Sequence, residues 1–113
     1  MHRDIKPENI LMNSYRDVKL ADFGFTKHIH ESERHTDYIS TRWYRAPELM
    51  LKKSNYSFGV DIFALGCVLA ELIKLKPLFP GKNEIDQLFL IFEQLGKFIL
   101  YYIELEIIIR ISL

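Results

Sequence analysis

Two short polar motifs set one hairpin apart constrain this chain more than anything else in it. His2-Arg3-Asp4-Ile5-Lys6-Pro7-Glu8-Asn9 has the form H-R-D-x-x-x-x-N, and Asp22-Phe23-Gly24 follows. Between them, Ile10-Leu11-Met12 and Val18-Lys19-Leu20 are short apolar runs separated by the turn cluster Asn13-Ser14-Tyr15-Arg16-Asp17. That pattern predicts a β-hairpin. A hairpin brings the chain back to where it started, so Asn9 and Asp22 meet at one end and their side chains can face the same spot.

The rest of the chain divides by apolar period. Residues 25–45 have none that is sustained. They hold His28, His30, His35, Glu31, Glu33, Asp37 and the hydroxyls of Ser32, Thr36, Tyr38, Ser40 and Thr41. They read as a long surface loop, which inside a small domain is uncommon and usually functional. Val60 to Ile73 is apolar nearly all round, broken by Asp61, Gly66 and Glu71, and predicts a buried helix that forms the core. Asp61 falls in its first turn, where the helix dipole favours a carboxylate. Lys76-Pro77-Leu78-Phe79-Pro80-Gly81 reads as its stop. Asn83 then reads as an N-cap, with Glu84 and Asp86 in the first turn of a second helix. Ile85, Leu88, Phe89, Phe92 and Leu95 give that helix an apolar stripe, expected to pack beside the first helix, and Gly96 closes it. From Phe98 to Leu113 the chain is mostly Ile, Leu and Tyr, β-prone, and too short and too charged to span a membrane.

Composition narrows the partners. The chain has 113 residues, 49% apolar and 27% charged, with a formal net charge of zero. That is one small globular domain at most. No basic face is implied, so neither nucleic acid nor an anionic membrane is an expected partner. One cysteine, Cys67, allows no internal disulfide and fits a reducing compartment. No signal peptide is visible at a start that is charged rather than apolar.

The two motifs carry chemistry when taken together. Phosphoryl transfer needs positioning and charge neutralisation around a moving phosphoryl group, and little covalent work from the protein. Asp4 suits a base that accepts or orients the proton of a substrate hydroxyl. Lys6 suits a cation beside the γ-phosphate. Asn9 offers an amide oxygen and Asp22 a carboxylate to Mg²⁺, which prefers hard oxygen ligands. Leu11 suits an apolar floor beneath an adenine ring. Singly, each has a plain structural reading as a solvated pair, a turn residue or a cap. His28, His30 and His35 read as solvated loop histidines, since no fourth ligand accompanies the His-x-His spacing. Cys67, inside the apolar helix, reads as core rather than nucleophile.

The sequence resembles the eukaryotic protein kinases over residues 2–96. Thr36-Asp37-Tyr38 followed by Thr41-Arg42-Trp43-Tyr44-Arg45-Ala46-Pro47-Glu48 looks like the activation loop of the group holding the cyclin-dependent and mitogen-activated kinases. With Asp22-Phe23-Gly24-Phe25, Pro77-Leu78-Phe79-Pro80-Gly81 and Glu84-Ile85-Asp86-Gln87-Leu88, it is most similar to the cyclin-dependent kinase-like subgroup. The male-germ-cell-associated kinases come a close second. The resemblance implies a Ser/Thr protein kinase using ATP and Mg²⁺, with Asp4, Lys6 and Asn9 catalytic. Lys6, Glu8, Asn9, Leu11 and Asp22 would meet ATP, and Asn9 and Asp22 would hold the metal. It implies phosphorylation of Thr36 and Tyr38 by an upstream kinase, with Arg3 pairing the first phosphate and Arg42 and Arg45 the second. His2 and Phe23 would stack, Thr41 would hydrogen-bond Asp4 and Lys6, and Asp61 would accept from the backbone near His2 and Arg3. It further implies protein substrates, a preference for proline after the target residue, and an intracellular location in cytoplasm or nucleus.

The departures from the family shape the rest of the expectation. The Gly-rich loop, strand lysine, partner glutamate and hinge that precede these motifs in the family are not in this sequence. Phe63 stands where the family usually has Trp. An Ile/Tyr-rich tail stands where further helices are usual, which leaves Glu48 without its usual arginine. The expected architecture is α+β: a partial kinase-like large lobe over residues 1–97, mainly helical with a short hairpin, and an atypical apolar tail over 98–113. Such a chain is expected to be inactive alone. A non-catalytic binding fragment and an incomplete gene model are the competing readings.

Overall fold

In the computed structural model, which describes residues 1–26, 41–51 and 56–96, Asn13 makes the hairpin. Its Oδ1 accepts from the backbone N–H groups of Tyr15 and Asp17, both at 2.9 Å, and its Nδ2 donates to Asp17 Oδ2 at 2.9 Å. Arg16 completes the turn at φ 65°. The strands β1 (Ile10–Met12) and β2 (Val18–Leu20) pair antiparallel with Ile10 opposite Leu20 and Met12 opposite Val18. Ala21 N–H donates to Asn9 O at 2.9 Å and extends the ladder by one step. Asp22 therefore leaves the hairpin beside Asn9, on the end where the sequence put it.

Two 3₁₀ turns, Pro7–Asn9 and Arg42–Tyr44, and three helices complete the described part: α1 (Pro47–Met50), α2 (Gly59–Lys74) and α3 (Glu84–Leu95). The architecture is α+β. Helix α2 runs one residue past each expected end and stops before the proline-rich segment, as expected. Lys76 precedes Pro77 and so is biased out of helical geometry. The chain turns before it, at Leu75 with φ 57°, whose N–H closes on Glu71 O at 2.7 Å.

Helix α2 is not buried all round, as its sequence suggested. Val60, Ala64, Cys67 and Val68 are buried, while Ile62, Leu65, Leu69, Leu72 and Ile73 are exposed. The buried four fall at i, i+4, i+7 and i+8, one stripe of a helix, because the described residues pack against that side alone. They join Ile5, Tyr44, Met50, Phe79 and Ile91 in the core, and Phe63 stacks on Phe79 with ring centroids 6.1 Å apart.

Helix α3 begins where Asn83 Oδ1 accepts from Asp86 N–H at 2.9 Å, and it closes on Gly96 at φ 76°. Its buried face differs from the expected stripe. Gln87 and Ile91 are fully buried, Leu88 and Phe92 partly so, and Ile85 and Phe89 are exposed. Its main partners are α1 and the Arg42–Tyr44 turn rather than α2. The apolar count missed this because the central residue of the packed face is a glutamine.

Candidate active site

One carboxylate from α2 anchors the loop that carries Asp4. Asp61 Oδ2 accepts from His2 N–H and its Oδ1 from Arg3 N–H, both at 2.8 Å. Arg3 sits at φ 67°, a left-handed conformation that costs a non-glycine residue roughly 1–3 kcal/mol and persists only where its surroundings fix it. The two bonds to Asp61 do that. They present Asp4 at the next position, buried. Its Oδ2 lies 2.9 Å from Lys6 Nζ and 3.1 Å from Asn9 Nδ2. The same Asn9 Nδ2 donates to Asp4 O at 2.8 Å. Both of those partners are acceptors, which fixes the amide orientation and leaves Oδ1 as the group able to meet a cation. Pro7 starts the 3₁₀ turn that ends at Asn9, so three successive turn positions separate Lys6 from the strand.

His2 joins this loop to the second motif. Its Nδ1 accepts from Asp4 N–H at 3.3 Å and its Nε2 reaches Ala21 O at 3.0 Å. The tautomer protonated on Nε2 serves both bonds. Its ring meets Phe23 edge-on, with centroids 5.2 Å apart and planes at 61°. The expected stack is thus a T-shaped contact, the geometry that ring quadrupoles favour. Asp22 is exposed at φ 60°. Its Oδ1 accepts from Gly24 N–H at 3.3 Å. A second strained position therefore falls on the second acidic residue.

Two donors of the Arg3 guanidinium are engaged. Its Nε donates to Phe25 O at 2.7 Å and its Nη1 to Tyr56 OH at 3.0 Å. Tyr56 was not legible in the sequence, since nothing in its neighbours marks it. Thr41, Tyr44, Arg45 and Ala46 line a cleft with Arg3 and Asp4 of about 10 Å³, room for about one water. Arg42 Nε is buried and has no hydrogen-bond partner among the described residues. Tyr44 OH donates to Glu71 Oε2 at 2.6 Å, and burial, with that acceptor, pushes the phenol above its ordinary range. Leu11 lies exposed on β1 opposite Lys19, Glu8 is exposed in the first 3₁₀ turn, and Glu48 is half-buried in the first turn of α1. Thr36, Tyr38 and the three loop histidines lie outside the described residues. Among the described residues no cluster of three or more His, Cys, Asp or Glu is placed to hold a metal. The candidate ligands are one amide and one carboxylate, Asn9 and Asp22. No described helix is long and apolar enough to cross a membrane.

This loop, pinned by a helix carboxylate and facing an acidic turn across a hairpin, coincides with a family match. The protein kinase domain model matches residues 1–109. The chain belongs to the protein kinase family. It is 52% identical over 99 residues to cyclin-dependent kinase-like 4 of Homo sapiens, covering 88% of this chain and 26% of that protein. It is 54% identical over 95 residues to serine/threonine-protein kinase ICK of Mus musculus, covering 84% of this chain and 15% of that one. It is 50% identical over 95 residues to serine/threonine-protein kinase MAK of Homo sapiens, with the same coverage. The chain thus spans between about a seventh and about a quarter of the length of these relatives.

Proposed function

We propose that residues 1–97 are the large-lobe portion of a protein serine/threonine kinase, transferring the γ-phosphoryl group of ATP to Ser and Thr hydroxyls of proteins. The observation that carries this reading is the buried Asp4 carboxylate between Lys6 Nζ and Asn9 Nδ2. Asp4 orients and accepts the proton of the attacking hydroxyl, and Lys6 sets a positive charge at the same carboxylate's edge. The residues fit ATP and Mg²⁺. Asn9 spends its N–H on Asp4 and keeps an oxygen for a hard cation. Exposed Asp22 accepts one long bond from Gly24 among the described residues. Bound Mg-ATP supplies the phosphoryl group and neutralises its charge. Leu11 and Glu8 belong to the nucleotide side of this reading, and residues 98–113, which lie outside the described residues, are given no part in it.

The same proposal covers regulation. An upstream kinase phosphorylates Thr36 and Tyr38, and Arg3, Arg42 and Arg45 receive the phosphates. Support comes from Arg42 Nε, a buried donor with no partner among the described residues, which an anion would satisfy. Tyr38→Phe is expected to lower activity, and equal activity for the two forms counts against the switch. The lone Cys67 supports a cytoplasmic or nuclear protein; a fluorescent fusion found outside the cell removes that part.

The catalytic reading is tested in a chimera in which residues 1–96 replace the matched stretch of human cyclin-dependent kinase-like 4. It is expected to phosphorylate a Ser/Thr-Pro peptide with Mg-ATP, and Asp4→Asn to abolish the activity. A chimera no more active than its Asp4→Asn form overturns the proposal. The 113-residue chain by itself is expected to be inactive in the same assay.

A further inference from the structure

The segment that walls the cleft beside Asp4 is held from behind by one buried side chain. Thr41, Tyr44 and Arg45 line that cleft with Asp4. From the same 3₁₀ turn, Trp43 Nε1 donates to Gly81 O at 3.1 Å. Gln87 Nε2 donates to Trp43 O at 3.3 Å, and Gln87 Oε1 accepts from Gly81 N–H at 2.9 Å. A closed ring of three hydrogen bonds therefore ties the turn, the α2–α3 connection and α3 together. Gln87 is 0% exposed. A buried amide is costly unless both ends are satisfied, and here both are. The fit is tight: a Cβ on Gly81 would lie 2.6 Å from Gln87 Cα and closer still to Oε1. No step of phosphoryl transfer uses Gln87.

We propose that Gln87 is a positioning residue for the protein substrate: it fixes the Trp43 turn, and through it the wall that a polypeptide must meet beside Asp4. The inference rests on the kinase reading above. Gln87 acts through Trp43 and Gly81 and touches neither nucleotide nor reacting atoms. Its loss falls on recognition of the polypeptide, while nucleotide binding and chemistry depend on residues 2–24 and on Asp61.

The test uses the same chimera with Gln87→Leu, which keeps the side-chain bulk and removes both hydrogen-bonding ends. Peptide KM is expected to rise on the order of tenfold, with kcat and the KM for ATP held within about twofold. Trp43→Phe removes the indole donor together with part of the ring's bulk, leaves Gln87 in place, and is the second variant if Gln87→Leu does not fold; its peptide KM is expected to rise as well. A purely structural role moves all three constants in step and lowers the melting temperature. An active wild-type chimera whose variants keep the peptide KM, or lose all three constants together, overturns the inference alone. An inactive wild-type chimera overturns the kinase reading, and the inference with it.

Discussion

At the scale of residues, one carboxylate holding two backbone N–H groups makes Asp61 a point of failure. Asp61→Asn turns one acceptor into a donor aimed at an N–H, and leaves that N–H unsatisfied. The cost is about 1–3 kcal/mol, and it falls on a loop already strained at Arg3. The expected outcome for Asp61→Asn in the chimera is a lower melting temperature and a lower kcat, read by calorimetry and steady-state kinetics. A variant with wild-type kcat would show that the loop does not depend on this anchor. Cys67 gives the second residue-scale prediction. Burial pushes its thiol from 9.0 up to about 12. The folded form keeps its proton where the unfolded form has lost it, so the unfolded state binds fewer protons above pH 9. This contribution to stability is full below the unfolded value and is lost as pH rises from there toward the folded value. Iodoacetamide at pH 8 is expected to label Cys67 far more slowly in folded chimera than in urea, because only the thiolate reacts. Equal labelling rates would place the thiol in water.

At the scale of elements, the local signals that were read correctly are those with a mechanism confined to a few residues. Asn83 caps α3 by accepting from Asp86 N–H, so Asn83→Ala is expected to cost about 1 kcal/mol and to fray the first turn. Amide hydrogen exchange over residues 84–87 checks this, and unchanged protection there would show that packing alone fixes the helix start. The hairpin and the existence of α2 were legible for the same reason: turn chemistry and an apolar run act within the segment, whereas the register of the hairpin comes from the structure alone. The packed face of α3 was not legible. Its apolar stripe pointed to Ile85 and Phe89, yet the buried centre is Gln87, whose amide is satisfied by Gly81 and Trp43 from distant parts of the chain. A polar residue joins a core only when such partners exist, and a single helix cannot announce them. The site divides in the same way. Asp4, Lys6 and Asn9 share one short loop and were read together, whereas Tyr56 reaches Arg3 across 53 positions with no local mark.

At the scale of the whole molecule, the balance between covered and uncovered apolar surface decides whether these 113 residues hold together by themselves. Helix α2 buries one stripe and leaves Ile62, Leu69, Leu72 and Ile73 between 53% and 82% exposed. Helix α3 leaves Ile85 at 82% and Phe89 at 61%. Each large side chain kept in water forgoes roughly 1.5–3 kcal/mol of burial, and a domain's whole stability is only about 5–15 kcal/mol. Six such side chains on two helices therefore forgo an amount comparable to the entire margin. The two-stranded hairpin adds little, because an isolated hairpin is marginal in water. Exposed aliphatic faces of this size also favour self-association. The 113-residue chain expressed alone is expected to be molten or aggregated: bound to a hydrophobic dye, without a sharp thermal transition, and eluting ahead of a monomer. A monomeric sample with a cooperative calorimetric transition and dispersed amide NMR signals would show that the exposed faces of α2 and α3 are stable in water as they stand. In the chimera the same faces are expected to become protected from hydrogen exchange. Exchange at Ile62, Leu69 and Phe89 in chimera and isolated chain measures that difference directly.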